Sequence, residues 1–205
     1  MTLTIWLTVV SICLLGAMSP GPSLAVVLQQ TLRGGRAHGM LAAVAHGLAI
    51  GLYAMICISG IGVMIANSPL LFNGLQWAGA GYLLWIGIKS LRSKPRIESA
   101  PRDSLSSHSA ARDGFLVAFL NPKVAVFFIA LFSQVIGIET TLLEKLAYAA
   151  TALFIDMAWY IIVAWSFSNP RWLGYLKQNV VWLERAFGVV LIALAIRLLV
   201  AGFVS

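Results

Sequence analysis

Charge is what this sequence has least of. Lys, Arg, Asp and Glu make up 10% of its 205 residues, against about a quarter in a soluble domain. Residues 1–32 contain none of the four, and neither do residues 37–88. So little charge excludes a soluble globular surface and a disordered chain. Cysteine is nearly as scarce. Cys13 and Cys57 are the only two, each inside an apolar stretch, with no CxxC pair and no zinc spacing. A membrane thiol–disulfide carrier needs a cysteine in each half that can meet the other, and the second half has none. An exporter of an inorganic ion or metal wants several oxygen, sulfur or imidazole ligands within its spans. That provision is thin here. No nucleophile–base pair and no phosphate loop stands out, so neither an enzyme nor a cofactor or metal is expected.

Apolar residues are what the chain has in abundance, at 60%. Hydropathy divides them into six blocks of membrane-spanning length, near Leu3–Gln30, His38–Ala66, Leu70–Leu91, Gly114–Ile136, Leu146–Phe167 and Val180–Phe203. The expected fold is an all-α integral membrane protein with six transmembrane helices. The first block lacks a positive leader and is too long for a signal peptide, so it reads as the first span.

The net charge of +7 does not imply nucleic acid, because the basic residues cluster between the blocks. Eleven of the fourteen Lys and Arg lie in the first, third and fifth connections. Positive connections stay in the cytoplasm, which sets both termini outside. The third connection, about 92–113, is rich in Ser, Arg and Pro and reads as a cytoplasmic linker.

The linker separates two halves, about 1–91 and 114–205, within a single membrane domain. Gly21–Pro22–Ser23–Leu24–Ala25–Val26 aligns with Asn121–Pro122–Lys123–Val124–Ala125–Val126, one hundred residues on. Each half has three spans, an odd number, so the second half sits upside down relative to the first. Two inverted three-helix repeats are a transporter architecture.

The aligned segments carry the candidate chemistry. Pro20, Gly21 and Pro22 cannot continue a helix, and Pro122 breaks the fourth span likewise. Broken backbone survives in a bilayer only where it faces protein or a watery cavity. Pro22 and Pro122 then start new helical segments. The amides that follow, from Ser23 onward, present partial positive charge suited to a carboxylate. Lys123 places a cation in the same break. It is read either as a carboxylate holder or as a side chain snorkelling to the cytoplasmic surface. Asp156 is the one acid well inside a span. Desolvation disfavours a charged carboxyl, so Asp156 is a candidate for proton exchange, for holding an ammonium, or for a fixed pairing with Lys123. His46, beside Gly47 and Gly51, is a second proton-coupling candidate or a packing histidine. Trp159 and Tyr160, one turn from Asp156, are read as packing residues that could also line a cavity.

Pro20–Gly21–Pro22, Asn121–Pro122–Lys123 and Asp156, in this six-span layout, resemble the lysine exporter / homoserine–threonine resistance (LysE/RhtB) family over essentially the whole chain. The resemblance implies efflux of amino acids or close derivatives across the bacterial inner membrane, driven by protons. It carries Pro20, Gly21, Pro22, Asn121, Pro122, Lys123 and Asp156 into the substrate site. The expected partners are a small zwitterionic substrate, a proton and the lipid bilayer, and a homo-oligomer is compatible with the layout.

Overall fold

The computed structural model describes residues 3–92, 107–137 and 139–204. Among them are seven helices and no strand: α1 Leu3–Ala17, α2 Pro22–Asn67, α3 Pro69–Arg92, α4 Ser107–Phe119, α5 Pro122–Phe132, α6 Leu142–Phe167 and α7 Pro170–Val204. Helices α2 and α6 are each long and apolar enough to cross a membrane, and α4 with α5 forms a further, broken candidate bent by 51°. Much of the outer surface is apolar, including Leu48, Leu52 and Ile56 on α2, Phe154 and Ile162 on α6, and Ile196 on α7. Water would not tolerate such a surface; lipid does.

The prolines set where helices begin. Pro22, Pro122 and Pro170 each open a helix at its first turn, where the missing N–H is no loss. Asn121 caps α5 by accepting a hydrogen bond from the Lys123 amide at 3.0 Å. Asn169 caps α7 in the same way, accepting from the Arg171 amide at 3.0 Å. Thr141 and Glu144 form a reciprocal capping box at the start of α6.

Helix α2 has 46 residues, enough for roughly twice the ~30 Å thickness of a bilayer core. It is not straight. Gly35 has φ of 81° and ψ of 179°, a backbone conformation open to glycine. The bend lies between Arg33 and Arg36, where the first connection is expected. Beyond it the two arms come together, and a Cβ on Gly39 would collide with the Thr31 hydroxyl.

Helix α2 packs on α6 and α4, α3 packs on α7, and α1 packs on α6. Gly87 on α3 and Gly188 on α7 meet backbone to backbone. A Cβ on either would sit 2.9 or 2.8 Å from the other's carbonyl oxygen. The larger core cluster joins all seven helices around Ile58, Leu83, Leu131, Phe132 and Leu191.

Three expected boundaries differ. The linker ends earlier than Asp113, because α4 starts at Ser107. Asp113 is helical and accepts a hydrogen bond from Gln30 at 3.0 Å. The remainder of that linker, 93–106, lies outside the described residues. The fourth block ends at Phe132 rather than Ile136, since Val135 and Ile136 donate back to the Phe132 carbonyl in a turn. Helix α7 begins ten residues before Val180, because the Asn169–Pro170 cap starts it there. Charged and aromatic side chains at 171–179 have no spanning hydropathy but do not oppose a helix.

Candidate functional site

The two breaks meet. The α1–α2 break and the α4–α5 break line one cavity, contributed on one side by Ser19, Gly21, Pro22 and Ser23, and on the other by Asn121 and Lys123. The cavity has a volume of about 60 Å³, room for several waters. Helices α2 and α6 add His46, Ile50, Ala152, Asp156 and Tyr160 to its wall.

Lys123 spans the gap between the breaks. From the first turn of α5 its ammonium donates to the Ser19 hydroxyl and, at 3.3 Å, to the Pro20 carbonyl. It also lies 4.1 Å from the centre of the Phe187 ring, a cation–π contact. It does not snorkel away from the cavity. Glu184, one turn before Phe187, acts on it electrostatically.

Opposite lies a buried pair. His46 Nδ1 is 2.6 Å from Asp156 Oδ2, with His46 1% and Asp156 7% exposed. The tilted ring of Tyr160 lies 4.6 Å from the imidazole. His46 Nε2 is buried without a hydrogen-bond partner among the described residues. Asp156 therefore pairs with His46, and not with Lys123 as one reading of the sequence has it.

The two helix ends are not equivalent. Asn121 closes the α5 terminus with its own side chain. No side chain caps α2, whose N-cap is Gly21. The Ser23 end of α2 is thus the one left to serve an outside anion.

Of the sequence candidates, Gly21, Pro22, Ser23, His46, Asn121, Lys123 and Asp156 line the cavity, and Pro20 and Pro122 do not. Pro20 takes part through its carbonyl, and Pro122 by opening α5. Trp159 instead packs against the smaller cluster around Val27, Leu28 and Val163. Of the pair Trp159 and Tyr160, Tyr160 is the one on the cavity wall.

A family model for the LysE type translocators matches residues 14–202. The chain belongs to this family. An uncharacterized membrane protein of Vibrio cholerae is 30% identical, over 78% of this chain and 86% of the relative. The threonine efflux protein of Escherichia coli is 24% identical over 97% of this chain and 99% of its own length. That of Salmonella typhimurium is 22% identical over 96% and 98%. No solved structure matches. As a LysE type translocator the chain is a membrane transport protein, and its apolar exterior fits that class.

Sequence reasoning missed Ser19 as the anchor of Lys123, Phe187 as its aromatic partner, and Cys13 on the wall of this translocator's cavity. For Cys13 a signal exists. Cys13, Gly16 and Ala17 are small residues at helical spacing leading up to the break, and all three line the cavity. For Phe187 none exists, because it comes from α7, far along the chain.

Proposed function

We propose that this translocator exports amino acids or close derivatives out of the bacterial cytoplasm across the inner membrane, by proton antiport. The observation that carries the reading is a single cavity lined by both a cation, Lys123, and a buried carboxylate, Asp156. A zwitterion has the matching charges. Its carboxylate takes Lys123 and the uncapped Ser23 end of α2. Its ammonium takes Asp156, which His46 orients. Between export cycles Asp156 carries a proton in place of the ammonium. The efflux activity in the names of the Escherichia coli and Salmonella relatives supports amino acids as cargo.

In this reading six spans form two inverted repeats, 1–91 and 114–205, with both termini outside. The packing supports it: α1 lies on α6 as α4 lies on α2, while α2 meets α6 and α3 meets α7. Rocking of one repeat against the other alternates access to the cavity. The test is efflux from vesicles carrying the full chain and preloaded with labelled amino acids. An imposed pH gradient, acid on the receiving side, should accelerate efflux over empty vesicles. Equal rates with and without protein under that gradient refute the function, and equal rates with and without the gradient refute the proton coupling.

A further inference from the structure

We infer that the exported amino acid has an uncharged, apolar side chain, and that Gly16 sets the length the cavity accepts. The inference rests on the amino-acid reading above and goes beyond it to the side-chain class.

Most polar groups of the cavity are engaged in pairs, His46 Nε2 being the buried one left without a hydrogen-bond partner among the described residues. Lys123 holds Ser19 and Pro20, His46 holds Asp156, and the Asn121 side chain caps its own helix. One cation and one acid line the wall, and a zwitterion's own carboxylate and ammonium use both. A third charge on the substrate would be buried without a partner, a strongly unfavourable state. Glu184 acts on Lys123 but does not line the cavity. A cationic side chain approaching it meets the like charge of Lys123. The rest of the wall is apolar: Cys13, Ile50, Val124, Phe127, Phe128 and Phe187.

Gly16 faces the Phe127 ring across α1 and α5. A Cβ at position 16 would lie 2.7 Å from Phe127 Cζ and 3.0 Å from Cε1. Both residues line the cavity, so a methyl there drives the ring into the space a substrate side chain needs.

The experiment uses vesicles carrying the full chain, preloaded separately with leucine, alanine, threonine, lysine or glutamate, under an imposed pH gradient. Leucine efflux should exceed lysine and glutamate efflux by about tenfold or more, with threonine between. Lysine, glutamate or threonine leading overturns the side-chain class and leaves amino-acid export standing. Efflux of none of the five overturns the export reading as well. Gly16→Ala should lower the leucine-to-alanine efflux ratio by about tenfold, and retained alanine efflux shows that the variant is folded. Adding Phe127→Leu should restore leucine. An unchanged ratio, or loss of both substrates without rescue by Phe127→Leu, overturns the role of Gly16.

Discussion

His46 Nδ1 and Asp156 Oδ2 stand 2.6 Å apart in the protein interior, on helices whose sequence positions differ by 110 residues. At that distance the two side chains share a hydrogen bond, so removing the charge of one acts directly on the other. Asp156→Asn keeps the shape but cannot ionise. It should reduce gradient-driven efflux to the level of empty vesicles while the protein stays abundant in the membrane. Asp156→Glu should keep part of the activity. Parental efflux and pH dependence in an abundant Asn variant would remove Asp156 from the coupling step.

Lys123→Met deletes the cation that holds Ser19 and Pro20. A charged hydrogen bond to substrate contributes about 2 kcal/mol, so the half-saturating substrate concentration should rise roughly 30-fold. Thermal stability in detergent should change little, because the hydrogen-bond acceptors of Lys123 are neutral oxygens. Combining it with Asp156→Asn should bring no rescue of abundance, since the two residues are not paired. The concentration dependence of efflux and a melting curve check both points.

The helix ends give a contrasting pair of variants. Asn121→Ala removes a cap and should destabilise the protein by about 1 kcal/mol, read as a lowered melting temperature. Gly21→Asn does the opposite at α2. Gly21 is in extended backbone, with φ of 178°, which any residue adopts. A side chain there would bond the Ser23 amide, raising stability and weakening substrate binding together.

At the α3–α7 contact, Gly87→Leu or Gly188→Leu should force the helices apart and cost about 1–3 kcal/mol or more, seen as low membrane abundance. Gly74→Ala on the same helix is the control. Nothing lies within 4 Å of a Cβ there, and the change should be neutral or slightly stabilising.

Orientation can be read with reporter fusions. Those after Ser68 and Gly137 should report the outside, and those after Arg36 and Gly174 the cytoplasm. A cytoplasmic signal at Ser68 would end the six-span arrangement.

Both helix breaks were legible in the sequence because proline acts locally, through a missing N–H and a steric clash that depend on no partner. Asn169–Pro170–Arg171 shows the limit of that legibility. It starts a helix with the same cap as Asn121–Pro122–Lys123 yet lies outside the cavity. The tripeptide encodes a helix start, and only its place in the fold gives it a cation to present. The pairing of Asp156 was not legible. Lys123 and His46 were both chemically suitable, and the choice follows from the packing of α2 on α6. There Gly47 and Gly51 admit Met157 and Leu153 so closely that the imidazole and carboxyl on the adjoining positions are brought together.

Under the proposed function, the engagement of Lys123 with Ser19 and Pro20 makes substrate capture an exchange reaction. The ammonium already has two neutral oxygen acceptors, so an alcohol or an amide that displaces them replaces like with like and gains nothing. A carboxylate replaces a neutral acceptor with an anion, and the swap runs downhill. The tether thus acts as an internal reference ligand against which each cargo molecule is compared. It lowers the affinity for all of them and rejects those without a negative end.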